Sequence, residues 1–171
     1  MDYSQFLIMR GEISLLLVFL LIFLFDTFGG KKSLKGLSIT ACVLPVDSAT
    51  AFGGMYQTSP IASMVKTVLN IGTLIVLLQS ISWSDTPDVK LRRGEFYELL
   101  LVTLFGMYLM VSSGHFLLFF IGLETASLPM AALIAINKKD TESYEAGAKY
   151  LFTAVFSSAV FLLGLSFLYG V

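Results

Sequence analysis

Charge is what this sequence has least of. Only 13% of its 171 residues are Asp, Glu, Lys or Arg, against about 25% in a water-soluble domain. That shortage excludes an ordinary soluble surface, and 56% hydrophobic residues assign most of the chain to lipid or to neighbouring helices. A net charge of −1 leaves no basic footprint for nucleic acid. The single cysteine, Cys42, excludes an internal disulfide or a cysteine metal cluster and reads as a small apolar residue. The single histidine, His115, excludes histidine-pair metal sites and acid–base pairs within the chain, and reads as a helix cap or interface residue. Gly29-Gly30 and Gly53-Gly54 follow no phosphate-loop spacing and read as turns, and no nucleophilic triad is visible.

What is present is a series of apolar runs separated by short polar punctuation, with a mean hydropathy of +0.83. The runs predict helices over 12–28, 37–46, 60–83, 95–111, 115–136 and 144–169. The first is no signal peptide, because acidic residues flank it and no small-residue cleavage site follows. Pro60 suits the first turn of its helix, where a missing N–H costs nothing, and 141–144 supply capping side chains for the last. Most runs reach the ~20 residues that cross a ~30 Å hydrocarbon core; the second does not. Basic residues nevertheless occupy alternate loops: Lys31, Lys32 and Lys35, then Lys90, Arg92 and Arg93, then Lys138 and Lys139. The positive-inside rule gives that alternation only if all six segments cross, with the N-terminus outside. The shortness of 37–46 then implies residues absent from around Pro45–Ser48. Trp83, Tyr97, Tyr144 and Tyr169 lie near helix ends and read as interfacial anchors. The expected architecture is an all-α polytopic transmembrane bundle of about six helices.

Ionisable residues inside such helices carry what chemistry there is, because each costs roughly 2.5–3.5 kcal/mol to insert. Glu124 lies nine residues into its helix, too deep for a short side chain to reach water. A carboxyl group out of water takes up or releases a proton according to the charge placed beside it. Gly122, Ala126 and Ser127 permit close helix approach, and Pro129 frees a carbonyl near residue 125. The bland alternative is a neutral Glu124 hydrogen-bonded to another helix. Lys149 lies six residues into the next, antiparallel helix, and counting from their shared loop puts it within a turn or two of Glu124 in depth. An inter-helix Glu124–Lys149 pair is one reading; snorkelling to the interface or a local pair with Glu145 four residues earlier are the others. Lys66, two turns into the third helix, reads by default as a snorkelling side chain, with a role the sequence leaves open.

The runs Gly94-Glu95-Phe96-Tyr97, Phe105-Gly106-Met107, Ser112-Ser113-Gly114-His115, Gly122-Leu123-Glu124-Thr125-Ala126-Ser127-Leu128 and Glu145-Ala146-Gly147-Ala148-Lys149-Tyr150 resemble, in order and spacing, the subunit N family of bacterial NADH:quinone oxidoreductase. That family is one of three antiporter-like membrane subunit families of respiratory complex I. The resemblance is specific from Gly94 to Gly170 and looser before it. It implies that Glu124 belongs to a proton channel and that Lys149 modulates it. It implies a division into 1–93, holding helices 1–3, and 94–171, the start of a proton-translocating module whose later helices, with the channel lysines of helices seven and eight, are missing here. It further implies a multi-pass protein of the bacterial inner membrane, coupling quinone reduction elsewhere in the complex to proton pumping, with other complex I membrane subunits and the lipid bilayer as partners. No flavin, iron–sulfur cluster or other cofactor is expected in this chain, and no metal. The alternatives are a subunit of a multisubunit Na⁺/H⁺ antiporter, which resembles the same region, and a structural membrane subunit or non-transporting fragment.

Overall fold

The computed structural model describes residues 4–28, 49–83, 92–137 and 140–170. The expected second segment at 37–46, Cys42, and the basic residues Lys31, Lys32, Lys35, Lys90, Lys138 and Lys139 lie outside the described residues. The elements run α1 (Ser4–Ile8), α2 (Arg10–Phe28), β1 (Ala49–Ala51), β2 (Tyr56–Thr58), α3 (Pro60–Trp83), α4 (Arg93–Val111), α5 (Phe116–Ile134) and α6 (Thr141–Tyr169). Within the described residues, α3, α4, α5 and α6 are long and apolar enough to cross a membrane. The protein is an all-α, polytopic membrane bundle with one small hairpin at an end.

Helix α4 holds the bundle together. Leu101, Leu104 and Tyr108 pack with Leu15 and Ile22 of α2 into a buried apolar cluster, against which Leu69 of α3 also packs. On its other side α4 meets α5 so closely that glycine is obligatory. A Cβ added at Gly106 would collide with the Ala126 amide nitrogen and stand 2.7 Å from the Gly122 carbonyl oxygen. A Cβ at Gly122 would stand 2.8 Å from the Met110 nitrogen. Without water to drive apolar association, such small-residue contacts are the main source of helix adhesion in a bilayer. Helix α5 is in turn held against α6, where Gly147 fits against Ala131 and Ala135 and Phe161 packs on Phe119 and Phe120.

The segment 47–59, expected to be a polar loop, contains the antiparallel β1–β2 hairpin, in register Ala49↔Thr58 and Ala51↔Tyr56. Its turn needs positive φ at three successive positions, 54° at Phe52, 66° at Gly53 and 87° at Gly54, which the two glycines adopt freely. Three residues a strand cannot stand alone, and neighbours stitch this hairpin down. The Gln57 amide donates to the Ser112 carbonyl and the Gly114 amide to the Met55 carbonyl, each at 2.8 Å. The Gln5 side chain accepts from the Phe52 amide at 3.1 Å. The hairpin therefore gathers the starts of α2, α3 and α5 and the end of α4 at one end of the bundle. Common starts for α2 and α3 fit the alternation read from the loop charges.

Helix ends follow their caps. His115 caps α5, its Nδ1 accepting from the Leu117 amide at 3.2 Å, as its position suggested. Helix α6 begins at Thr141, three residues before the expected start, because Asp140 accepts from the Glu142 amide at 3.0 Å. Of the four aromatic residues read as anchors, Tyr144 and Tyr169 are exposed, but Tyr97 is 2% exposed and belongs to the interior; the Trp83 side chain is outside the described residues.

Candidate functional site

Glu124 lies where the depth count put it, nine residues into α5. Its face of the helix is set by the residues that share it. Phe120, Glu124, Ala131 and Ala135 are separated by four, seven and four residues, so at 3.6 residues per turn they form one stripe. Phe120, Ala131 and Ala135 all touch α6. Glu124 therefore lies on the stripe of α5 that carries the α6 contacts, while Gly122 and the Ala126 backbone lie against α4. Glu124 Oε1 is buried and has no hydrogen-bond partner among the described residues. An orphaned acceptor in a low-dielectric interior costs about 1–3 kcal/mol.

Lys149 is not that partner in the structure. Its Nζ pairs with Glu145 Oε1 one turn earlier, and both side chains are largely exposed, at 73% and 63%. The reason is azimuthal. The α6 stripe that faces α5 contains Gly147, Ser158 and Phe161, whereas Lys149 lies nine residues from Ser158, about half a revolution away. Depth counting placed Glu124 and Lys149 at compatible levels but carried no information about faces. Of the readings open for Lys149, the structure realises the local pair with Glu145.

A second ionisable centre lies at the hairpin end, and it does form an ion pair. Lys66 Nζ meets Glu12 Oε1 at 2.5 Å, with side chains 5% and 1% exposed. Lys66 does not snorkel: the hairpin roofs it over. Its ammonium also donates to the Tyr56 hydroxyl at 3.3 Å and stands over the Tyr56 and Tyr108 rings at 5.5 and 5.4 Å from their centroids. The Ser112 hydroxyl donates to Glu12 Oε1 at 3.4 Å. A cavity of about 10 Å³, lined by Gly11, Glu12, Tyr56, Thr58, Ser63, Lys66 and Ile8, adjoins the pair, space for a single water. Burial, and secondarily the Glu12 charge, raise the Tyr56 phenol pKa above its ordinary value of 10.0, so it stays protonated. Four elements thus meet on one pair: α2, β2, α3 and α4. Sequence reading passed over Glu12, although a signal existed: loop-charge alternation already put the starts of the first and third helices on one side of the membrane.

Comparison with known proteins bears on these residues. A family model described as "NADH:quinone oxidoreductase/Mrp antiporter, TM" matches residues 113–171. NADH-quinone oxidoreductase subunit N of Phocaeicola vulgatus is 47% identical across 99% of this chain, which spans 38% of that relative. The subunit N of Azobacteroides pseudotrichonymphae is 40% identical over 99% of the chain, again 38% of the relative. That of Methylovorus glucosotrophus is 36% identical over 78% of the chain and 27% of the relative. Over nearly its whole length, the chain is a relative of NADH-quinone oxidoreductase subunit N. The chain spans under two fifths of the subunit N proteins it matches. The alignment with the Phocaeicola protein covers 179 positions against a chain of 171, so that relative carries at least eight residues within the matched region that are absent here. The antiporter-type family model takes in Glu124, Lys149 and Ser158 and stops short of Glu12 and Lys66. The two ionisable centres therefore fall on either side of its boundary.

Proposed function

We propose that this chain is part of a proton-translocating membrane subunit of NADH:quinone oxidoreductase, in which Glu124 is the carboxyl group that takes up and releases the proton. The observation that supports this most directly is the buried, unpartnered Glu124 Oε1 within a helix that otherwise satisfies its polar side chains locally. Around it the neighbours keep to themselves: the Thr125 hydroxyl donates to its own helix at Ile121, and Lys149 is held by Glu145. Glu124 is thus free to exchange with whatever reaches it from α6 or from helices beyond the present chain. In this reading Lys149 acts on Glu124 through the low-dielectric interior rather than by contact, and its release from Glu145 changes the field at the carboxyl group. Redox chemistry takes place in other subunits. The setting is a bacterial inner membrane with other membrane subunits of the complex as neighbours.

The test is Glu124→Gln in the full-length subunit within the intact complex. Loss of proton pumping per quinone reduced is the expected result. Full pumping at unchanged quinone-reductase turnover sinks the proposal. The family description also names the Mrp antiporters, which favours one second reading, a subunit of a multisubunit Na⁺/H⁺ antiporter. Sodium-driven proton exchange in vesicles without NADH, abolished by Glu124→Gln, would establish that reading instead.

A further inference from the structure

We propose that Ser158 is the α6 residue that serves Glu124, as a positioning residue whose hydroxyl donates a hydrogen bond to the Glu124 carboxylate across the α5–α6 interface. This rests on the reading of Glu124 as the proton-exchanging group. Two independent observations carry it. The first is satisfaction: among the described residues, two buried side-chain polar atoms have no hydrogen-bond partner, and they are Glu124 Oε1 and Ser158 Oγ. Ser158 is 6% exposed. Its neighbours on α6 behave as hydroxyls in helices ordinarily do, with Thr153 donating to the Lys149 carbonyl at 2.9 Å and Ser157 to the Thr153 carbonyl at 2.8 Å. Ser158 alone of the three makes no such bond, so its hydroxyl is available to the interface.

The second observation is register. Gly147 packs against Ala131 and Ala135, and Phe161 packs against Phe119 and Phe120. In an antiparallel pair those contacts place Ser158 opposite Gly122 and Leu123, within about 3 Å of Glu124 along the helix axis at ~1.5 Å per residue. Both residues lie on the stripes that face each other. A donor with no acceptor and an acceptor with no donor thus stand at one level of one interface, one on each helix; they are not bonded to each other in this structure, and a side-chain rotation has to close the bond. A hydroxyl suits the role because it donates to the carboxylate and accepts from the carboxylic acid, so it can follow Glu124 through both protonation states.

The experiment compares Ser158→Ala and Ser158→Thr in the full-length subunit within the intact complex, with Glu124→Gln alongside. Two readouts are taken: the infrared carboxyl band that Glu124→Gln removes, and the pH midpoint of pumping per quinone reduced. Loss of one hydrogen bond to a carboxylate is expected to move that midpoint by about half a unit or more, and to shift the band. Ser158→Thr retains the hydroxyl and should keep both near the parent values. An unshifted band and midpoint in Ser158→Ala overturn the inference; so does a Thr variant that behaves like Ala. A serine with only a packing role lowers assembly yield and leaves band and midpoint in place. If Glu124→Gln pumps normally, the proposed function fails, while the band shift still decides whether Ser158 serves the carboxyl group.

Discussion

Lys66→Met is the perturbation that most directly probes the hairpin end of the bundle. In the parent protein Lys66 and Glu12 are buried together, with Ser112 donating to the carboxylate and Tyr56 accepting from the ammonium. Removing the ammonium alone leaves Glu12, 1% exposed, as an uncompensated buried charge beside the roof of the hairpin. Breaking one partner of such a pair costs about 3–5 kcal/mol, whereas replacing both with apolar groups of similar volume is near neutral or stabilising. At 1.4 kcal/mol per decade, the single substitution should shift the folded-to-unfolded ratio by roughly two to three and a half orders of magnitude. Glu12→Leu should behave likewise, leaving a buried ammonium whose remaining polar partner is a phenol. The double variant, Glu12→Leu with Lys66→Met, should return to within about 1–2 kcal/mol of the parent protein. Reversible denaturant unfolding of the full-length subunit in bilayer discs measures all three, and the coupling follows as a double-mutant cycle. Single variants that each lose less than about 1 kcal/mol and add without coupling would refute the reasoning, and would mean that the pair reaches water.

Two further outcomes concern packing and capping. Gly106→Ala should separate α4 from α5, because its Cβ meets backbone at Ala126 and Gly122 rather than a movable side chain; overpacking costs about 1–3 kcal/mol, readable as lost stability by the same unfolding assay, whereas Gly72→Ala, with nothing within 4 Å of the added atom, should be tolerated. Asp140→Ala should remove about 1 kcal/mol of cap from α6 and speed hydrogen exchange at the Glu142 amide, with Asp140→Asn close to the parent rate.

The helices were legible because each apolar run is long, uninterrupted and bounded by polar residues. The α3 boundaries at Pro60 and Trp83 match the expected ones, and α4 and α5 start or stop within two residues of them. The α6 start was misjudged by three residues because the cap is Asp140, one residue before the polar run that seemed to supply it. The hairpin was illegible for a different reason. Ala49–Ala51 and Tyr56–Thr58 have no periodicity long enough to announce a strand, and they pair only because Ser112 and Gly114 of the α4–α5 turn offer them backbone partners. Tyr97 failed as an anchor on similar grounds. Nearness to a helix end along the chain says nothing about whether another helix covers that end.

That distinction between depth and face separates what was read of the site from what was missed. Counting residues from a loop gives depth, and depth singled out Glu124, whose Oε1 is buried without a partner. A partner must also share an azimuth, and the azimuth of a helix is set by which residues its neighbours touch. On α6 those include Gly147 and Phe161, and the buried Ser158 shares their stripe. A charge-led reading arrives at Lys149, the conspicuous cation, which in this structure pairs with Glu145 on its own helix, whereas the uncharged Ser158 draws notice only through its burial and its unmet hydroxyl. The same bias hid Glu12, whose place in the first turn of a helix gave it an ordinary reason to be acidic. Lys66 then had no visible partner until the hairpin end was assembled. In a membrane bundle the residue that answers a buried charge is found by burial and by unmet hydrogen-bonding capacity, and both belong to packing that hydropathy and spacing do not specify.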